Sequence, residues 1–140
     1  MSIEMITQSD LKKMIPKFKR ALQRTHDLTT MDLLGNLQEY SPQETGRLAG
    51  SWRAQNKGFL HSVVGTNVKY ALVHNDGSDP YMIYPRSKKV LRFKVDGQWV
   101  FAKEVLHPGI NPTHYIDGAI SATNKRIAEF VEMGLDSEGL

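Results

Sequence analysis

Apolar residues first recur along the chain at helical spacing. Leu11, Met14, Ile15, Phe18 and Leu22 share one stripe, and Lys12, Lys13, Lys17, Lys19 and Arg20 cover the rest of the circumference. That period predicts an amphipathic helix. Ser9-Asp10 supplies a start, a capping hydroxyl followed by an acid in the first turn. Pro16 removes a backbone donor, so a kink is expected there, or a regular segment that begins there. A second helical stretch is expected from Thr29 or Thr30, carrying Leu33, Leu34 and Leu37 and ending at Ser41-Pro42. These N-terminal helices span about residues 9–40.

The period then shortens. Residues 44–52 are Gly-punctuated and read as one helical turn feeding a strand. Phe59 to Val64 reads as a strand closed by Gly65-Thr66-Asn67, Val68 to Val73 as a short apolar segment, and Asn75 to Pro80 as a loop. The sharpest local signal is Asp96-Gly97 between Val90–Val95 and Gln98–Val105, a type I′ hairpin turn. A two-residue turn fixes the register. Phe93 faces Val100 and Leu91 faces Ala102 on one side; Lys94 faces Trp99 and Arg92 faces Phe101 on the other. The first side is a natural core face, and the second mixes cations with aromatics that can pair in water.

Helical spacing returns after Asn111-Pro112. Ile116, Ala119, Ile120, Ile127, Phe130 and Val131 share about a third of a helix surface over residues 113–133, with Gly134 as the expected stop. Helices at both ends around a run of strands (about 52–105) predict an α+β domain. The expected architecture is one mostly antiparallel, twisted or barrel-like sheet with a hairpin at 90–105, packed against the N-terminal and C-terminal amphipathic helices. The 140 residues suit a single domain with one real core.

Composition changes this picture little. The absence of Cys excludes a disulfide scaffold, a Cys-ligated zinc site and a Cys nucleophile. No apolar run is long enough for a membrane span, and Met1 to Ile6 lacks the basic and apolar regions of a secretory signal. A net charge of +3 allows a nucleic-acid partner without demanding one.

Candidate chemistry is sparse. His74 with Asp76 sits beside one loop, and His107 and His114 flank another, so a metal-dependent hydrolase is one alternative. No His pair has the i, i+4 spacing of a helical zinc site, and hydrogen bonding to loop backbone is the favoured role. No Ser lies in a Gly-x-Ser-x-Gly elbow, and Gly46 and Gly50 are followed by no phosphate-loop Lys. The basic cluster Arg86, Lys88, Lys89, Arg92 and Lys94 lies near Tyr81, Tyr84, Phe93 and Trp99. It can be a lysine-guarded strand edge, the rim of a protein interface, or a single-strand nucleic-acid surface. The small total charge favours the first two.

Several blocks occur in a specific order. Glu44-Thr45-Gly46-Arg47-Leu48 through Ser51-Trp52 is followed by Val64-Gly65-Thr66 and Tyr70-Ala71, then His74-Asn75-Asp76-Gly77. Ile83-Tyr84-Pro85, Lys89-Val90-Leu91-Arg92-Phe93, His107-Pro108-Gly109 and Tyr115-Ile116 with Ala119-Ile120 come next. From about residue 44 to 120 this set resembles the tail-completion and minor-tail (head–tail joining, neck) family of tailed bacteriophages. His74-Asn75 departs from that family's usual acidic–aromatic pair, and Thr113-His114-Tyr115 from its small residue or Pro before an aromatic.

The resemblance implies a non-catalytic virion protein without a cofactor, assembled in the host bacterial cytoplasm. Copies monomeric in isolation would form a homo-oligomeric ring at the head-proximal end of the tail or at the neck. Six subunits would match the tail tube. Its neighbours would be connector or tail-tube proteins, with DNA passing through without sequence-specific contacts and no membrane involved. Tyr84, Arg86, Lys88, Lys89, Arg92, Lys94, Trp99 and Phe101 are the expected subunit or partner contacts.

Overall fold

The computed structural model describes residues 1–43 and 46–140. Glu44 and Thr45, the start of the Thr-Gly block, lie outside the described residues. The fold is α+β. Within the span read as one domain stand two compact units, one built from Met1–Val68 and Tyr115–Leu140, the other from Lys69–His114.

The first unit is organised by α1 (Gln8–Tyr40), a single helix of 33 residues about 50 Å long. It starts on Thr7 rather than Ser9: the Thr7 hydroxyl accepts from the Asp10 amide and the Asp10 carboxylate accepts from the Thr7 amide, a reciprocal capping box. The expected second start at Thr29 or Thr30 is not used. Both hydroxyls instead donate to carbonyls four residues back, Thr29 to Thr25 and Thr30 to His26, which lets a β-branched polar residue sit inside a helix. Pro16 is carried without a break. The helix stops at Ser41, one residue before Pro42.

A 3-10 turn (Ala49–Ser51) leads into β1 (Arg53–Gly58), which pairs antiparallel with β2 (His61–Gly65). His26 Nε2 and Ser62 Oγ share a 2.9 Å hydrogen bond that ties this hairpin to α1. The C-terminal helix expected as one piece is two, α3 (Tyr115–Asn124) and α4 (Ile127–Ser137). Partner residues on α1 fall in number as those on α3 and α4 rise: Asn36 with Thr123, Thr25 with Phe130, Arg20 with Glu138. The pair therefore runs antiparallel to α1.

Gly134 is no helix stop. It lies inside α4 against α1, where an added Cβ would stand 2.5 Å from both the Ala21 carbonyl oxygen and Thr25 Oγ1. Glycine is read there as a contact point between helices, not as a conformational break. A polar clamp closes the α1–α3 seam. The Asp32 carboxylate accepts from Asn36, from the buried Thr123 hydroxyl and from Arg126 at 2.9, 2.9 and 2.6 Å. Trp52, 5% exposed, meets Tyr115 edge-on at 6.5 Å and donates its indole N–H to Ser41 Oγ at 2.8 Å. The Ser41 hydroxyl in turn donates to the Leu37 carbonyl, so the Trp52 indole nitrogen and the Ser41 oxygen are both satisfied in this apolar node.

The second unit contains α2 (Ala71–Asp76), β3 (Tyr81–Ile83), β4 (Leu91–Val95), β5 (Gln98–Ala102) and β6 (Val105–His107). The described strands of the protein form three separate two-stranded sheets, β1–β2, β3–β6 and β4–β5, and not the single barrel-like sheet expected. The reason lies at Lys103-Glu104. The run read as one strand to Val105 breaks there, and its end pairs with β3 instead. Within the first unit α1 packs mainly along α3 and α4, and to a lesser degree against β1 and β2.

Candidate functional site

The hairpin β4–β5 carries four of the expected contact residues. Asp96 and Gly97 adopt φ of 50° and 79°, the positive pair a type I′ turn requires. This sets the pairing Leu91–Ala102, Arg92–Phe101, Phe93–Val100 and Lys94–Trp99, the register expected from the turn. Leu91, Phe93, Val100 and Ala102 are half-buried on one face. On the other face Trp99 and Phe101 are 53% and 62% exposed.

The alternation of cations and aromatics gives that face a definite geometry. The Arg92 guanidinium carbon lies 4.4 Å from the Trp99 ring centroid and the Lys94 ammonium 4.9 Å from it. Cross-strand pairing puts Lys94 opposite Trp99, and the two-residue repeat brings Arg92 to the same side. The indole is thus bordered by two cations, each pair contributing on the order of 0.5–1 kcal/mol at an exposed site. Phe101, opposite Arg92, remains open.

Tyr84, Arg86, Lys88 and Lys89 precede the hairpin and are all exposed. Arg86, Lys88 and Arg92 line one surface depression of about 280 Å³ with Val90. This segment joins the loop basic residues to the hairpin in one cationic, aromatic-bearing surface. Tyr84 is not among the residues lining that depression.

Two glycines of the sequence blocks, Gly77 and Gly109, act elsewhere in the same unit. Ser78 and Ile110 exchange backbone hydrogen bonds of 2.9 and 3.0 Å. Gly77 and Gly109 flank that bridge at φ of 79° and 83°. A Cβ on Gly77 would meet the Ile110 carbonyl at 2.7 Å, and one on Gly109 would collide with the Ser78 carbonyl. The Asp-Gly-Ser loop and the His-Pro-Gly turn thus close on each other through bare backbone.

The histidines serve this loop framework. His107 Nδ1 accepts from the Gly109 amide at 3.1 Å, and its ring stacks on Tyr81 at 4.7 Å. The Thr113 amide and hydroxyl both donate to the His74 carbonyl, while the His74 ring meets Tyr70 edge-on. No group of three or more His, Asp or Glu placed to hold a metal ion occurs among the described residues. No helix of the described residues is long and apolar enough to cross a membrane.

Sequence reasoning missed a second exposed surface. Of the stripe Leu11, Met14, Ile15, Phe18 and Leu22, read as the core face of a helix, Met14 is half-buried and the other four are between 44% and 52% exposed. The signal was present but ambiguous. An amphipathic period identifies an apolar face without saying whether this chain or another molecule covers it. Comparison with known proteins found no match to any family model, curated protein or solved structure.

Proposed function

We propose that the chain is a non-catalytic structural subunit of a tailed phage or prophage particle. It assembles as a ring at the head-proximal end of the tail or at the neck, completes the tail and joins it to the head. The observation that carries this reading is the β4–β5 face. Trp99, bordered by Arg92 and Lys94, and Phe101 stand exposed on a turn-fixed hairpin. Aromatic residues and Arg gathered on a rigid exposed strand pair make the composition of a protein-contact surface. The order of the sequence blocks from residue 44 to 120 supplies the particle context.

In this reading the joint is the mechanism. Identical subunits meet head to tail and close by rotation. The hairpin face and the segment from Tyr84 to Lys89 meet a neighbouring subunit, or the connector or tail-tube protein beyond it. DNA passes through the ring centre, and the chain turns over no substrate. Reversing charge at Arg86 and Lys89 together tests the surface in an induced or infected cell. Joined particles should fall sharply in yield while separate heads and tails accumulate. Normal joining would remove the segment from Tyr84 to Lys89 from the contact. The same cationic face supports a second reading, a small nucleic-acid-binding module. Binding to generic duplex or single strand that weakens steeply with salt and disappears in this variant would favour it.

A further inference from the structure

The N-terminal arm of α1 leaves an apolar stripe largely uncovered. Gly134 meets α1 at Ala21, and Arg20 bonds Glu138, the cap residue of α4. Residues 8–19 continue beyond those contacts for roughly 18 Å of helix. Leu11, Ile15 and Phe18 of this arm, continued by Leu22, stay on one side of α1 at spacings of four, three and four residues, each about half exposed. Lys12 and Lys19 flank the stripe on one side and Lys17 on the other.

A complementary surface exists in the same unit. The outward face of α4 holds Glu129, Glu132 and Asp136, all exposed. Val131 and Met133, 40% and 42% exposed, border it. One surface is therefore apolar with a basic margin, the other acidic with an apolar margin. Pairing two arms with each other would set lysines against lysines. Pairing an arm with α4 of a second copy sets lysines against carboxylates. Electrostatics of this kind selects partner and register, while the buried apolar stripe supplies the affinity.

We infer that the α1 arm of one copy docks on the outward face of α4 of the next copy, a head-to-tail contact between two different surfaces. Such a contact leaves one arm and one α4 face free at the ends of any open assembly, so it propagates until rotation closes it. The inference rests on the ring reading only for what the contact builds; the contact stands on the two surfaces.

The test uses charge reversal in the full chain. One variant carries Lys12→Glu and Lys19→Glu, a second Glu132→Lys and Asp136→Lys, and a third all four. All four side chains are exposed, so folding is expected to survive, and matching circular dichroism and thermal transitions check it. Sedimentation velocity across a concentration series should show the parent self-associating. Each two-site variant should associate at least about tenfold more weakly, and the four-site variant should recover. Should a charge variant misfold, Ile15→Ser with Phe18→Ser removes the stripe instead and should also leave monomers.

A parent that stays monomeric at every concentration overturns the inference. So does an α4 variant that associates like the parent, which would point to arm–arm pairing, or a four-site variant that fails to recover. Association of purified chain reports on this contact and particle joining reports on the virion role, so each can fail while the other stands.

Discussion

The two units of this protein are held together by different physics. In the first, α1 lies along α3 and α4, and Leu37, Leu48, Trp52, Tyr115, Ala119 and Phe130 are buried. In the second, Ala71 and Asn75 are the buried residues among those described, and order comes from turns, backbone bridges and glycine geometry. The contrast teaches that burial sets the stability of one unit and backbone conformation sets the shape of the other. A unit of the second kind can carry exposed aromatics without drawing on them for its fold. Trp99 is 53% exposed where Trp52 is 5% exposed.

Mutation should separate these regimes. Trp52→Ala removes the largest ring of the first unit and frees the Ser41 hydroxyl, so a loss of about 3–5 kcal/mol is expected from denaturant unfolding. Gly134→Ala should cost about 1–3 kcal/mol, because its Cβ must push α4 off Ala21. That outcome reverses the usual gain from replacing a helical glycine by alanine.

Gly109→Ala attacks the other regime, through positive φ and collision with the Ser78 carbonyl, at about 1–3 kcal/mol locally. Hydrogen exchange should speed up at the Ser78 and Ile110 amides while α1 stays protected. Trp99→Ala should change stability by no more than about 1–2 kcal/mol and yet reduce particle joining; a loss as large as that of Trp52→Ala would refute the contrast.

The smallest effect is at the helix ends. Its hydrogen bonds with Thr7 hold the Asp10 carboxyl below its ordinary value, and hydrogen bonding to Arg20 does the same for Glu138. A lowered folded-state value means that this stabilisation is present above the unfolded carboxylate range. It is lost as pH falls through the folded value. Acid should therefore fray the first turn of α1 and release the α4 cap, read as a small drop in helicity.

Where one residue decides a conformation, the sequence was legible. Asp96-Gly97 dictated a turn and through it the pairing of ten residues, and Ser41-Pro42 located the end of α1. Where the outcome depends on what lies alongside, local pattern was silent. Thr29 can cap a helix or bond back inside one, and only the continuous packing of α1 on α3 and α4 selects the second. Gly134 looked like a terminus because its role is set by Ala21, far away in the chain. The run to Val105 looked like one strand because nothing local reveals that its end pairs with β3. Of the contact surface, the hairpin half was readable from alternation, while the arm was mistaken for core.

The long-range ties of the first unit also constrain how the chain can be made. Thr25 bonds the Phe130 carbonyl across 105 positions, Thr123 bonds Asp32 across 91, and Arg20 reaches Glu138 across 118. During synthesis from the N-terminus, α1 emerges well before the segments that cover its flank. The stretch from Lys69 to His114, whose bridges are all nearer in sequence, is complete while the ribosome still holds α4. Translation therefore leaves the apolar flank of α1 waiting in water until α3 and α4 have been made.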